Sequence, residues 1–144
     1  MSIETVNRAL RDDDIGQVVA LWHAAGVSRP WNDPARDIAF ARRDPHSTVL
    51  VADRDGLIVA TAMVGEDGHR GWVYYVAVDP RLRNLGLGRG IMDAAERWLI
   101  DRGVWKMQLL VREENDAVRH FYEHLGYRDT RTICFQKVIG DAAE

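Results

Sequence analysis

Cysteine is almost absent: Cys134 is the only one in 144 residues, and the four prolines are scattered. A single thiol forms no internal disulfide, which excludes a disulfide-stapled secreted scaffold and fits a reducing, cytoplasmic setting. Long apolar runs are also lacking, so no membrane span is expected, and Met1 is followed by polar residues rather than a signal peptide. Nor is there a surplus of positive charge. The net charge of −3 leaves no global footprint for nucleic acid or an anionic membrane. Any anion must therefore be held by a local arrangement, and no metal site is expected. What remains is 47% hydrophobic and 28% charged, the balance of an ordinary globular protein with a real core. No repeat, low-complexity stretch or linker divides it, so one domain over residues 1–144 is expected.

Periodicity organises the chain. "SIETVNRAL" alternates as a first strand. The triplet Asp12 to Asp14 offers an N-cap and a negative first turn to "IGQVVALWHAAG", where Ile15, Val18, Val19 and Trp22 share a helical face and Gly26 ends the helix. Asp33 as N-cap and Pro34 as first residue begin a second helix reaching about Arg43. "STVLVAD" and "LIVATAMVG" are strands joined by the tight turn "RDG". "WVYYVAVDP" is nearly continuous in apolar residues, as a strand buried on both faces would be. Tyr74 and Tyr75 are then expected on opposite faces of it.

"IMDAAERWLIDRG" is an amphipathic helix with Ile91, Ala94, Ala95, Trp98 and Leu99 inward and Gly103 closing it. "WKMQLLV" is a strand and "ENDAVRHFYEHLG" a helix ending at Gly126. "YRDTRTICFQKV" supplies one or two final strands, with Cys134 as a small core side chain rather than a nucleophile, and the last few residues fray. Strand, glycine-rich loop, helix and strand make a βαβ unit with parallel strands. The expected fold class is therefore α/β with a mixed sheet, mostly antiparallel around one parallel βαβ unit, and about four flanking helices.

The glycine-rich loop is "RLRNLGLGRG", residues 81–90. It is not a dinucleotide fingerprint, because Gly86, Gly88 and Gly90 are spaced by two and Ile91 stands where a glycine is needed. It is not a P-loop either, since the required lysine is missing. R-x-x-G-x-G remains, from Arg83 to Gly88. Glycines let backbone N–H groups converge on an anion, and the following helix aims its positive end at the same place. Arg83 and Arg89 add charge. Alone, such a loop is equally a solvated turn.

A second motif decides between these. "ENDAVRHFYEHLGY" sets Asn115 at a helix start and Tyr122 two turns further on the same face. With "VAVDPRLRNLGLGRGIM" before it, this pairing resembles the GNAT superfamily of acetyl-coenzyme A-dependent N-acetyltransferases. "RPWNDP" and "DGHRG" resemble a small bacterial stand-alone subgroup of it. The resemblance implies a GNAT-like fold, acetyl-coenzyme A as co-substrate, and a cradle for its pyrophosphate made by Arg83, Asn84, Leu85, Gly86, Leu87, Gly88, Arg89 and Gly90. It implies a pantetheine arm paired with backbone near Val76, Ala77 and Val78, in the manner of an added strand. Asn115 would bond that arm, or simply cap its helix; Tyr122 would sit at the sulfur, or be a core aromatic.

The implied reaction is attack of a primary amine on the thioester within a ternary complex. An alkyl amine of pKa about 10.4 is roughly 99.9% protonated at neutral pH, so its proton must go somewhere. Many relatives carry a glutamate on the strand before the cradle; Trp72 stands at that position here. Substitutes are Glu66, Asp67 and His69 in "EDGHRG", His69 having the most suitable ordinary pKa, although the same loop is good hairpin-turn chemistry. A backbone N–H of Val76 or Ala77 would meet the oxyanion, and Tyr122 the departing thiolate. Arg29, Trp31 and Tyr75 would line the acceptor pocket. Small-molecule or peptide amines are the expected partners, and a homodimer is in keeping with the family. The competing reading is a non-catalytic acyl-coenzyme A sensor, which the missing glutamate favours.

Overall fold

The computed structural model describes residues 4–140 and divides into two compact units, Met1–Leu109 and Leu110–Glu144. Ser2 and Ile3 of the expected first strand, and the expected fraying of the last four residues, lie outside the described residues. The first unit runs β1 (Val6–Ala9), a 3-10 turn (Asp12–Asp14), α1 (Ile15–Ala24), α2 (Pro34–Ala41), β2 (Ser47–Arg54), β3 (Leu57–Glu66), β4 (Gly71–Val78), α3 (Leu87–Ile100) and β5 (Met107–Leu109). The second contains α4 (Asp116–His124). The strands lie in the order β1-β2-β3-β4-β5, antiparallel except for the parallel β4–β5 pair. This is the mixed sheet with one βαβ crossover that the sequence leads one to expect. No helix among the described residues is long and apolar enough to cross a membrane.

The sheet is covered on both faces of its centre. Val49, Val51, Thr61 and Ala77 face α1 and α2, where Val18, Leu21, Trp22, Ile38 and Ala41 complete one core. Their neighbours Leu50, Ala62, Val64 and Val73 point the other way, toward α3. Helix α3 comes so close there that a Cβ on Gly71 would stand 2.5 Å from a Leu99 methyl. Its buried face is Leu87, Ile91, Met92, Ala95 and Leu99. Met92 thus takes the place expected of Ala94 and Trp98, which are half-buried; Trp98 instead carries the Arg102 guanidinium over its ring.

Other expectations need correction. The acidic triplet forms its own 3-10 turn, and Asp14 makes no side-chain cap to α1. Its carboxylate is buried and turns back to Arg8, with bonds of 2.6 and 3.0 Å, and to the backbone N–H of Arg11. Strand β4 is not buried on both faces: Tyr74 is 46% exposed and four of its residues are half-buried. Strand β5 keeps only three of the seven residues expected. Residues 127–139 form no strand, although Ile133 and Phe135 alternate as one, and both are more than 80% exposed. Alternation signals a half-buried strand only where a sheet edge accepts it. Cys134, in that segment, is exposed rather than core.

Arg8 bridges Asp14 and Asp53, tying β1 to β2 and to the entry of α1. The hydrogen bond from Arg8, partly offset by burial and joined by that from Arg11, holds the Asp14 carboxyl below the usual carboxylate range. A depressed folded pKa gives stability that is full above the unfolded value of about 3.9 and is lost as pH falls through the folded one. Asp14→Asn is expected to cost about 2 kcal/mol at pH 7. Urea unfolding of both proteins from pH 7 to pH 3 should show that difference shrinking as the medium is acidified.

Candidate active site

Strand β4 changes its geometry halfway. Met63 pairs with Tyr74 and Thr61 with Ala77, so one residue of β3, Ala62, is opposed by two of β4, and Tyr75 and Val76 form a bulge. Tyr75 has φ +52°, a region that aromatic residues rarely enter. Three contacts hold it there. Its ring stacks on buried Trp22 at 3.8 Å and 10°. Its carbonyl accepts from the Thr61 hydroxyl, which itself accepts from Trp22 Nε1 at 2.8 Å. Its hydroxyl donates to Asp37 Oδ2 at 2.6 Å. Burial, then the bond to Asp37 and the charges of Asp37 and Asp33, raise the Tyr75 hydroxyl well above the usual phenol range.

The bulge breaks the expected alternation. Tyr74 lies opposite Met63 and Tyr75 packs on Trp22, so both tyrosines belong to the α1–α2 side of the sheet. On the other flank, β4 pairs with β5 only from Gly71 to Val73. From Tyr75 to Val78, including Val76, Ala77 and Val78, β4 has no strand partner on that flank among the described residues. A free edge of this length is what an added strand or an extended ligand requires.

Beyond β4 the chain turns through Pro80–Leu82. Asp79, only 5% exposed, accepts from the Arg81 backbone N–H and from its guanidinium at 2.8 and 3.1 Å. Those bonds hold the Asp79 carboxyl below its ordinary range and occupy the Arg81 charge. Arg83 and Arg89 are exposed as Arg81 is, but make no ion pair among the described residues. Asn84 at φ +63° and Gly86 at φ +81° curl the loop into the N-terminus of α3. The first intrahelical bond is from Gly90 N–H to Gly86 C=O. The N–H groups of Leu87, Gly88 and Arg89 are therefore free of helical partners, with no side-chain cap and no acidic residue in the turn. A Cβ on Gly86 or Gly90 would meet nothing within 4 Å, so the concavity is open. Leu87 contributes only backbone, its side chain being buried, and Leu85 is half-buried. An uncapped helix N-terminus of this shape can accept a phosphate-sized anion, and the residues present fit a pyrophosphate.

Asn115 and Tyr122 lie in the second unit. Asn115 caps α4, its Oδ1 accepting from the Val118 N–H at 3.3 Å, which leaves its amide N–H₂ for another partner. Tyr122 is buried between Phe121 and Tyr127 in edge-on contacts. Its hydroxyl makes no hydrogen bond among the described residues, and burial pushes its pKa up to about 12.

The remaining expected residues are not gathered at the bulge. His69 is exposed in the β3–β4 turn, where Asp67 accepts from its N–H and that of Arg70. At about 3.3 Å per residue, the bulge lies more than roughly 15 Å along β4 from that turn. Asp67 also accepts from Trp72 Nε1, and Glu66 pairs with His46. The turn reading of "EDGHRG" accounts for all of these contacts. Arg29 and Trp31 are exposed in the α1–α2 connection, where Arg29 C=O accepts from Asn32 N–H. Trp22, Thr61 and Asp37 were not foreseen as parts of a site. Asp37 is a first-turn acid of α2 next to inward-facing Ile38, and that position is the one local sign of it.

Comparison with known proteins agrees with this geometry. The model of the acetyltransferase (GNAT) family matches residues 14–127. An aminoglycoside N-acetyltransferase, AAC(6')-Iy, in complex with coenzyme A superposes with a TM-score of 0.81 at 16% identity, covering 97% of this chain and 98% of that one. A transcriptional regulator from Bacillus halodurans C-125 gives 0.82 at 18%, over 94% and 100%. The ribosomal-protein-S18-alanine N-acetyltransferase from Escherichia coli gives 0.70 at 23%, over 85% and 77%. At these identities the likeness to each is one of fold.

The cradle makes its own prediction. Valine at the φ of Gly86 is strained by about 1–2 kcal/mol, and relief requires the loop to move. Gly86→Val should raise the dissociation constant of coenzyme A by about tenfold or more in calorimetry, while circular dichroism shows the fold retained.

Proposed function

The chain belongs to the acetyltransferase (GNAT) family, and from that premise we propose that it moves the acetyl group to a primary amine by direct attack in a ternary complex. The acetyl donor is acetyl-coenzyme A, which supplies an activated thioester. The observation that supports the reading most is the succession in β4 and α3: a bulge, a free strand edge, then an uncapped helix N-terminus.

Each part has a task. The N–H groups of Leu87, Gly88 and Arg89 and the mobile charges of Arg83 and Arg89 hold the pyrophosphate. The free edge from Val76 to Val78 orients the pantetheine arm through main-chain bonds. Val76, unpaired with β3 at the bulge, offers its N–H to the oxyanion. The amide of Asn115 steadies the arm. Tyr122, kept protonated by its raised pKa, donates to the departing thiolate. The proton that the amine sheds passes to water, since the His69 turn is too distant along β4.

A screen of amine classes with thiol release as the readout tests this reading. Coenzyme A binding without release on any amine would favour the sensor, for which Trp72 at the glutamate position is the specific support. Tyr122→Phe keeps the ring and removes the donor. Its kcat should fall by about 10²-fold with the KM for acetyl-coenzyme A little changed. An unchanged kcat would remove Tyr122 from the chemistry.

A further inference from the structure

We infer that Asp37 is a specificity-determining residue of the acceptor site, and that it selects amines carrying a second positive charge. This rests on the acetyl-transfer reading of the β4 bulge.

The first observation is an anion without a counterion. Asp37 is half-buried at the first turn of α2, and among the described residues no lysine, arginine or histidine forms an ion pair with it. Its only side-chain hydrogen bond is the one Oδ2 accepts from Tyr75; Oδ1 accepts none among the described residues. Three first-unit carboxylates that are buried or half-buried are treated differently, unlike exposed ones such as Asp33 and Asp67, which also form no ion pair among the described residues. Asp14, Asp53 and Asp79 each have a guanidinium within 3.0 Å. A partly desolvated carboxylate with one lone-pair face unused is a favourable place for an ammonium group.

The second observation is where that face stands. Asp37 is joined through Tyr75 to the bulge itself, one residue before Val76. Tyr75 cannot compensate the charge. Its hydroxyl is held neutral by burial first and by Asp37 second, so it stays a donor to the Asp37 carboxylate. Asp33, one turn earlier, adds negative potential while its own carboxylate caps α2 by accepting from the Arg36 N–H.

The amine that attacks must be neutral, and an ammonium held by Asp37 would be stabilised in its protonated form. Asp37 therefore suits a non-reacting ammonium. The acceptor class that satisfies both requirements is a small alkyl diamine or polyamine, one nitrogen at the bulge and another at Asp37. Arg29, expected to line the acceptor pocket, lies in the exposed connection before α2 and makes no ion pair with Asp37 among the described residues.

Calorimetry on the whole chain with coenzyme A present tests this, using putrescine as dication and n-butylamine as monocation. The native protein should bind putrescine about tenfold or more tightly than n-butylamine. Asp37→Asn keeps an acceptor for the Tyr75 hydroxyl but removes the charge, and it should abolish that preference without altering coenzyme A affinity. In the native protein alone, raising the salt concentration should shrink the preference, which needs no variant. Equal affinity for the two probes, or a preference that survives in folded Asp37→Asn or at high salt, would overturn the inference. Thiol release reads the other question separately: an Asp37-dependent diamine site without release defeats the transfer reading and leaves the cation site standing.

Discussion

The first unit depends on one forced conformation. Tyr75 sits at φ +52° because three neighbours hold it there: an indole against its ring, a threonine hydroxyl on its carbonyl and a carboxylate on its phenol. Strain of this kind persists only where the surroundings over-determine it. The indole and the hydroxyl are fixed to each other by the bond from Trp22 to Thr61, both fully buried. α1, α2, β3 and β4 therefore meet at one residue. Without it β4 would continue its regular pleat past Tyr74, and the register with β3 would have no bulge.

The cradle relies on a different economy of charge. The chain is acidic overall, yet the loop that ends in α3 concentrates positive potential by geometry rather than by numbers. All three of its arginines are exposed; one is tied to Asp79, which shapes the entry to the loop, and two make no ion pair among the described residues. The backbone N–H groups supply fixed dipoles that need no reorganisation. With fixed donors at the turn and exposed cations at its rim, an anion bound as proposed would be captured broadly and seated narrowly.

Much of this was legible in the sequence because it follows from local rules. Asp33 and Pro34 announce the start of α2, Asp55 and Gly56 the hairpin at φ +52° and +91°, and the R-x-x-G-x-G spacing the turn into the N-terminus of α3. The Tyr75 bulge was not legible, because a tyrosine enters that region only under tertiary constraint. The tyrosines' shared face was lost with it. Asp37 was not foreseen, because a first-turn acid ordinarily serves the helix dipole, and its place beside inward-facing Ile38 is the one local sign of a bond to a distant strand. Residues 127–139 erred the other way. Their alternation is genuine, but pairing is decided by an available edge and not by the pattern.

An open strand edge built for a ligand is also an edge that another polypeptide can use. From Tyr75 to Val78 the flank of β4 has no strand partner among the described residues and lies beside half-buried apolar side chains, the combination that templates aggregation. The hazard is limited by length. β4 stops at Val78, Asp79 is locked in its bond to Arg81, and Pro80 has no N–H to extend a ladder. Protection is thus written into the same residues that turn the chain toward the cradle. Colloidal behaviour in the cell becomes linked to occupancy: a chain with its flank covered is a poorer seed for misassembly than one waiting for its ligand.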